Sequence, residues 1–439
     1  MSTPLNLASL LFSTALLLVG HGMQLTMLPL WAQGANIPDF IIAATASGYF
    51  LGFIAGCMLS PYVIFRVGHI RCFGSLAALF LSALLILGIT ENWVLWFLMR
   101  FIMGVAISGL YSVIESWLNS QTNELNRGRI LSIYAFIVLG AMALGQFIIG
   151  AVAVDSALPF ILASIFIALS IVPLGLSDTN PPESVHPAKL DFALLYRRSK
   201  TAFAGTVLTG VVVGSFWSLG AIFAARVSSN IADATQLVAI ALIGGACFQY
   251  PIGWLSDRFD RRLVMLLLCL FGSISCCLVA LTARTDYQLL AMLFFGGTTF
   301  PIYALSLATA ADNSAQEEFI VLGTSVILLN ALGSAIAPLL LGSVMTLYGA
   351  PALFWCFSGV CLLLTMYVLY QYRDQSTAAP EEQLPFNVFS QDIAPLGLDL
   401  DPRGPEEVED VFELTEADSS SEGFHDIPFP GQIKTDAVI

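Results

Sequence analysis

The chain has 439 residues, of which 57% are hydrophobic and 11% are charged, and its mean hydropathy is +0.82. A soluble domain carries roughly a quarter charged residues, so this composition excludes an ordinary soluble protein. The net charge of −14 leaves no basic surface for nucleic acid, and it comes mainly from residues 372–439, which hold 16 of the 31 acidic and 3 of the 17 basic residues.

Twelve apolar runs follow one another along the chain, each close to the ~20 residues that a helix needs to cross a bilayer. They predict an all-α membrane protein with twelve transmembrane helices. The first run has no basic residue ahead of it and exceeds a signal-peptide core in length, so we expect it to be retained. The runs cover residues 7–31, 39–63, 72–90, 93–115, 129–152, 157–176, 202–227, 234–255, 263–282, 288–310, 319–347 and 351–371.

The distribution of Lys and Arg predicts the orientation. Two basic residues, Arg226 and Arg284, lie in or beside the connectors on one side of the membrane. Because short positive loops stay in the cytoplasm, the other side is predicted to be cytoplasmic, together with both termini. That side carries eleven basic residues: Arg66, Arg71, Arg127, Arg129, Lys189, Arg197, Arg198, Lys200, Arg258, Arg261 and Arg262.

The domain organisation follows from one long connector, residues 177–200, which is polar, contains prolines and divides six runs from six. We predict a six-helix half over 1–176, a cytoplasmic linker over 177–200, a second half over 201–371 and a tail over 372–439. A shift of 192 residues aligns the halves as pseudo-repeats. It pairs Gly22 with Gly214, Gly52 with Gly244, Gly104 with Gly296, Gly150 with Gly342, Arg66 with Arg258 and Tyr111 with Tyr303. Parallel repeats with a site between them near the midplane are a transporter plan.

Glycines and the acidic tail each allow two interpretations. Gly48, Gly52 and Gly56 lie four residues apart and form one small-residue helix face. Such a face serves close packing, and it equally suits helices that move against each other. The acidic tail is predicted to be disordered and solvated; alternatively, its segment EEVEDVFEL docks on a cytoplasmic protein partner.

Ionisable groups inside membrane helices are costly and usually functional, and this chain has few. His21 lies near the middle of the first run, with Gln24 three residues on and on nearly the same helix face. His21 is a candidate for proton coupling or substrate binding; the alternative is a neutral His bonded to a neighbouring helix. Gln146, Gln249, Asn330, Tyr111 and Tyr303 add neutral hydrogen-bonding groups that suit either helix contacts or a ligand.

Arg100 and Glu115 are the charged candidates of the fourth run. Arg100 follows Trp93 by seven residues, which places it roughly 10 Å inside the helix. It either attracts an anionic substrate, assists proton coupling or is tied to backbone carbonyls. Glu115 lies near the inner end of the same helix. It either accepts a proton or, as we expect, pairs with Arg66, Arg71, Arg127 or Arg129 as a latch on a cytoplasmic gate.

Other kinds of site lack support in the sequence. The eight cysteines lie in or at the ends of apolar runs without a CxxC, so we expect neither a disulfide nor a metal site. The chain has no G-x-x-x-x-G-K-[ST] loop and no HExxH motif. We therefore expect no enzymatic activity, no ATP hydrolysis and no cofactor, and any uphill transport would draw on an ion gradient.

Two motifs carry a resemblance to the major facilitator superfamily. The connector after the eighth run, Gly253-Trp-Leu-Ser-Asp-Arg-Phe-Asp-Arg-Arg262, resembles the loop signature G-x-L-x-D-R-x-G-R-R, with Asp260 in place of the second glycine. Arg100-Phe-Ile-Met-Gly104 resembles the R-x-x-x-G motif of the fourth helix. The sequence Val113-Ile-Glu-Ser-Trp-Leu-Asn119 and the segment that follows resemble the YcaD-like bacterial branch.

The resemblance implies a cytoplasmic gate at these loops and an arginine tied to proton coupling. The first-half loop keeps Arg66 and Gly68 but has Phe65 where the family has its acid, and Arg71 ends the loop as a further gate candidate. The lock is therefore expected to rest on Asp257 and Arg258, with Arg261 and Arg262 beside them. In the fifth helix, Gln146 replaces the proline of the antiporter motif.

The sequence thus predicts a secondary transporter of a small solute by alternating access, coupled to protons, in the bacterial inner membrane. The candidates for substrate or proton coupling are His21, Gln24, Arg100 and Glu115. Two alternatives remain open: a non-transporting membrane sensor or scaffold that acts through its acidic tail, and an uncoupled facilitator.

Overall fold

A computed structural model describes residues 4–35, 37–120, 127–153, 156–176, 190–315 and 318–372. The described part of the chain is helical throughout, without a strand, and six of its helices form the N-terminal half. Most of the predicted tail and much of the linker lie outside the described residues. The N-terminal helices are α1 (Pro4–Gly34), α2 (Asp39–Val67), α3 (His69–Gly88), α4 (Trp93–Ser120), α5 (Arg127–Gly150) and α6 (Leu158–Gly175).

The C-terminal half contains the remaining described helices. Two features differ from the sequence prediction: a short helix, α7, lies in the linker, and the run predicted over 288–310 is two helices. The break is at Pro301, because proline has no N–H to continue the helical hydrogen bonds. The elements are α7 (Phe192–Arg198), α8 (Lys200–Val227), α9 (Ile231–Ser256), α10 (Arg261–Leu281), α11 (Gln288–Thr299), α12 (Pro301–Asp312), α13 (Phe319–Tyr348) and α14 (Ala352–Tyr372).

Twelve segments of the described chain are long and apolar enough to cross a membrane, as predicted, with α11 and α12 together forming one of them. Polarity is arranged as a bilayer requires. His21 and Gln24 are completely buried, whereas Phe65 and Phe136 are each 79% exposed. Apolar side chains can face outward because contact with the surrounding hydrocarbon carries no free-energy cost, whereas polar side chains such as His21 and Gln24 lie inside the bundle.

The two halves are built by the same helix contacts, 192 residues apart. A Cβ atom on Gly52 of α2 would meet the carbonyl oxygen of Phe101 in α4. In the second half, a Cβ atom on Gly244 of α9 would meet the carbonyl oxygen of Leu293 in α11. The shift of 192 residues therefore corresponds to the same helix packing in both halves. In each half, a glycine lets two helix backbones come into contact.

The same register also relates the contacts between the halves. Gly150 at the end of α5 packs against Thr235 of α9, and Gly342 of α13 packs against Ala43 of α2. These contacts lie at the end of the bundle where α2 and α9 begin, which we call the Asp39 end. The opposite end, where α10 begins, is the Arg261 end. The halves thus meet backbone to side chain at these two positions of the Asp39 end.

Gly52→Val is expected to destabilise the N-terminal half. The added side chain meets a backbone carbonyl, which has no rotamer to change, so we expect a loss of at least the about 1–3 kcal/mol typical of overpacking. Gly140→Val is the matched control, since nothing lies within 4 Å of its added Cβ. Thermal unfolding in detergent measures both variants, and equal midpoints for them would contradict this packing.

Candidate functional site

Four side chains from three helices form a buried polar cluster in the N-terminal half. This core cluster consists of His21 and Gln24 of α1, Tyr49 of α2 and Arg100 of α4. His21 and Gln24 are fully buried, and Arg100 is 6% exposed. The structure brings together three of the four residues predicted for substrate or proton coupling; the fourth, Glu115, lies elsewhere.

Arg100 organises the core cluster. Its Nη1 donates a 2.6 Å hydrogen bond to Oε1 of Gln24, and its guanidinium carbon lies 4.5 Å above the centre of the Tyr49 ring. A cation over an aromatic face gains on the order of 2 kcal/mol when desolvated. The sequence left open whether Arg100 attracts a substrate, assists proton coupling or is tied to backbone carbonyls. In the structure it donates to the side chain of Gln24.

The bond to Arg100 fixes the orientation of the Gln24 amide. Arginine only donates hydrogen bonds, so Oε1 of Gln24 faces Arg100 and Nε2 faces His21. Nε2 lies 3.3 Å from Nδ1 of His21, while Nε2 of His21 lies 3.4 Å from the Tyr49 hydroxyl. Nδ1 therefore accepts a hydrogen bond, and the proton of a neutral His21 is on Nε2.

The positive charge of Arg100 is buried within the core cluster. Among the described residues, no carboxylate lies within ion-pair distance of Arg100. Burial of a charge costs several kcal/mol unless it is paired. Gln24 and the Tyr49 ring compensate for part of this cost, so Arg100 has the chemistry of a site for an anion.

Gln146 and Asn330 bond to the backbone of neighbouring helices. Nε2 of Gln146 donates to the carbonyl oxygen of Gly22 at 2.8 Å, and Nδ2 of Asn330 donates to that of Thr206 at 3.3 Å. Of the two interpretations left open for these residues, the structure supplies the helix contact.

Glu115 is a fully buried carboxylate at the Arg261 end of α4. The hydroxyl of Tyr134 in α5 donates a 3.1 Å hydrogen bond to it. Arg66 and Arg71, two of its four expected partners, have exposed side chains, and the side chains of Arg127 and Arg129 lie outside the described residues. Tyr134 is a partner that the sequence did not identify.

Glu115→Gln is expected to change the balance between the two faces of the bundle. The amide oxygen can still accept from Tyr134, so the fold is kept while the charge is removed. Tyr134→Phe is the matched variant, because it keeps the charge and removes the hydrogen bond. Cysteine accessibility at both ends measures the balance; wild-type accessibility in Glu115→Gln would contradict a role for its charge in a latch.

At the Arg261 end, the predicted gate loop forms an ion cluster within the C-terminal half. Nη1 of Arg261 contacts both carboxylate oxygens of Asp312 at 2.7 Å, and Nη2 contacts Asp257 at 3.3 Å. Arg258 instead lies 4.0 Å above the ring of Trp254. The sequence led us to expect a lock that rests on Asp257 and Arg258. In the structure, Asp257 contacts Arg261, and Asp312 is a member of the cluster that the sequence did not identify.

Arg262, a further predicted gate residue, lies at the start of α10, and the Arg261 contact has a counterpart in the first half. The backbone N–H of Arg262 donates to the carboxylate of Asp260, which caps α10, and the Arg262 side chain is buried. In the first half, His69 occupies the position equivalent to Arg261 and lies 3.1 Å from the hydroxyl of Ser116. Ser116 is in turn equivalent to Ala308, whose carbonyl oxygen accepts a hydrogen bond from Arg261.

The Asp39 end carries an ion pair between the halves that the sequence analysis missed. Nη2 of Arg226 in α8 lies 2.7 Å from a carboxylate oxygen of Asp39 in α2, and the hydroxyl of Thr346 in α13 donates to the other oxygen at 3.3 Å. The Asp39 side chain is 3% exposed and that of Arg226 33%. A cavity of about 940 Å³ opens here, lined in part by Arg226 and Arg284.

The end of the linker is fastened to the C-terminal half. Arg198 of α7 donates a 2.7 Å hydrogen bond to Glu318, and this bond holds the pKa of the Glu318 carboxyl below its usual value. The backbone N–H of Asp191 donates to the hydroxyl of Ser325 at 2.8 Å. These contacts place α7 on α13.

Comparison with known proteins relates the chain to membrane transporters. The sequence model of the Major Facilitator Superfamily matches residues 10–224 and 202–398. An "Uncharacterized MFS-type transporter YcaD" of Escherichia fergusonii is 26% identical over 374 residues, which cover 84% of this chain and 96% of that protein. A protein of the same description from Salmonella newport is 25% identical, with 82% and 94% covered.

Solved structures share the fold at low sequence identity. The nucleoside transporter NupG superposes with a TM-score of 0.74 and 13% identity, covering 85% of this chain and 100% of that one. An inward-facing, occupied bacterial homologue of the human lysosomal transporter Spinster gives 0.67 and 14%, with 88% and 99% covered. The family match, together with twelve membrane helices in two repeated halves, shows that the chain belongs to the major facilitator superfamily.

Proposed function

We propose that this protein is a secondary active transporter that moves a small solute by alternating access, coupled to protons, in the inner membrane of a bacterium. The observation that carries the proposal is the contact between the repeated halves at the Asp39 end. It combines glycine packing with the Asp39–Arg226 ion pair. A contact made of one surface from each half can open when the halves rotate, which is what alternating access requires.

The distribution of basic residues indicates which side of the membrane the Asp39 end faces. The Asp39 end carries Arg226 and Arg284, whereas the Arg261 end carries most of the other loop arginines. By the positive-inside rule, the Asp39 end faces outward and the Arg261 end faces the cytoplasm. The closed Asp39 end would then belong to a conformation that admits solute from the cytoplasmic side.

Coupling to protons is supported by the core cluster. His21 is buried in this cluster, and a histidine ordinarily titrates near neutral pH. His21 contacts Gln24, which accepts a hydrogen bond from Arg100. A proton on His21 and a solute at Arg100 would therefore affect each other through Gln24. Glu115 and the Asp257–Arg261–Asp312 cluster would govern the cytoplasmic gate.

The test is solute flux in proteoliposomes with and without an imposed pH gradient. Solutes are first chosen by thermal stabilisation, because a ligand at 100 times its Kd stabilises a protein by about 2.7 kcal/mol. We expect a stabilising solute to accumulate only when the gradient is present. Equal flux with and without the pH gradient would indicate an uncoupled facilitator. If the stabilising ligands do not cross the membrane under either condition, transport would be refuted.

A further inference from the structure

We infer that the core cluster binds a carboxylate or phosphate group at Arg100, and that Gln24 links this binding to the protonation of His21. The inference rests on the proposed function and extends it to the chemical class of the solute and the path of coupling. It begins from the hydrogen-bond directions among His21, Gln24, Tyr49 and Arg100.

The present arrangement excludes a charged His21. An imidazolium has a proton on both ring nitrogens, so Nδ1 would have to donate. The group that faces Nδ1 is the amide Nε2 of Gln24, which is also a donor. The amide cannot turn its oxygen toward His21 without giving up the 2.6 Å bond from Arg100. Arg100 therefore keeps His21 neutral by fixing Gln24.

An anion at Arg100 removes this constraint. Carboxylates and phosphates match the planar fork of a guanidinium and form charge-assisted hydrogen bonds stronger than the bond to a neutral amide. Once the anion accepts from Arg100, the Gln24 amide is free to turn. Oε1 can then accept from Nδ1–H, so His21 takes up one proton from solution while the anion enters.

Charge balance favours the same linkage. The titratable or charged groups that face His21 are Tyr49 from α2 and Arg100 and Tyr111 from α4, while α3 contributes the apolar ring of Phe80. No described carboxylate is among them. A second positive charge on His21 is therefore opposed by Arg100 until an anion compensates. Together, one carboxylate and one proton add no net charge to the buried cluster, and a singly charged phosphate group does the same.

Gln24→Glu tests the linkage without any solute, because it supplies a carboxylate within the cluster. We expect its carboxylate to accept from both Arg100 and a protonated His21. The proton affinity of His21 should therefore rise by about tenfold or more relative to the wild type. Gln24→Met, which neither donates nor accepts strongly, should leave His21 neutral. Gln33→Glu is the matched control, with the same change on α1 away from the cluster.

The readout is the protonation state of His21 by 15N NMR of the histidine-labelled full chain in lipid nanodiscs. His21→Asn assigns its signals among the four histidines. In the wild type without added anion, we expect a proton on Nε2 and none on Nδ1. A proton on Nδ1 alone in the wild type would overturn the linkage. So would a His21 that becomes protonated at the same pH in Gln24→Glu as in the Gln33→Glu control.

The class of anion is tested by titrating the wild type with succinate, inorganic phosphate and the uncharged compound acetamide. A rise in protonated His21 with succinate alone indicates a carboxylate, and a rise with phosphate alone indicates a phosphate group. If neither anion acts, or acetamide acts equally, the anion site is refuted. The NMR titration measures the protonation of His21 and not transport. An absence of solute flux in proteoliposomes would therefore refute the proposed function but leave the anion site untouched.

Discussion

Asp39→Asn is expected to open the Asp39 end of the bundle. The substitution leaves Arg226 without its carboxylate at a contact that joins the two halves. Removal of one partner of a buried ion pair costs 3–5 kcal/mol, but the Arg226 side chain is 33% exposed, so we expect about 1–3 kcal/mol. This loss falls on the closed conformation alone, and it shifts the population toward the open one by roughly 5- to 150-fold.

Electron paramagnetic resonance distances measure this opening. Spin labels on Ala35 and Tyr348 lie on opposite halves at exposed positions of the Asp39 end. In a background without the native cysteines, the wild type should give mainly the short distance of the closed end, and Asp39→Asn should add a longer one. An unchanged distribution in Asp39→Asn would mean that the pair does not hold this end closed.

A double-mutant cycle separates the ion pair from general disturbance. Arg226→Gln alone leaves a buried Asp39 unpaired, whereas the double variant Asp39→Asn/Arg226→Gln buries two neutral groups that can bond to each other. We expect the double variant to open less than the sum of the single variants predicts. Arg284→Gln is the matched control at the same end, because its guanidinium contacts a backbone oxygen of Arg226 rather than an acid.

This ion pair also shows what the sequence could and could not predict. The helices and their close contacts are encoded locally, by apolar runs and by glycines at fixed spacing, so both were predicted. Asp39 and Arg226 are 187 residues apart, and no sequence motif around either residue indicates that it forms an ion pair. By the repeat, the position equivalent to Asp39 is Ile231, so the pseudo-symmetry did not point to the pair either.

The same distinction applies within the core cluster. His21, Gln24 and Arg100 were predicted individually, because polar residues in membrane helices are rare and costly. The contact between these residues was not predicted. It depends on how α1 is rotated about its axis relative to α4, and the polar residues alone do not define that rotation. Tyr49 was missed because a tyrosine in an apolar helix is ordinary until a cation lies over its ring.

Arg100→Ala is expected to abolish gradient-driven accumulation while leaving the protein folded. The variant removes the charge that would hold an anion and the donor that fixes Gln24. It also removes the cost of burying an unpaired cation, so the unfolding midpoint should stay the same or rise. Accumulation should fall at least about tenfold, which corresponds to about 1.4 kcal/mol of lost solute binding. Arg197→Ala, at an exposed position of α7, is the control.

Arg100→Lys separates charge from geometry at the same position. Lysine keeps the positive charge but has no planar fork, so it cannot bind a carboxylate or phosphate through two parallel hydrogen bonds. If Arg100 acts as a fixed charge in proton coupling, Arg100→Lys should retain most of the accumulation that Arg100→Ala loses. If Arg100 binds the solute, Arg100→Lys should weaken the apparent affinity and keep the response to the pH gradient. Wild-type accumulation in Arg100→Ala would remove this arginine from both roles.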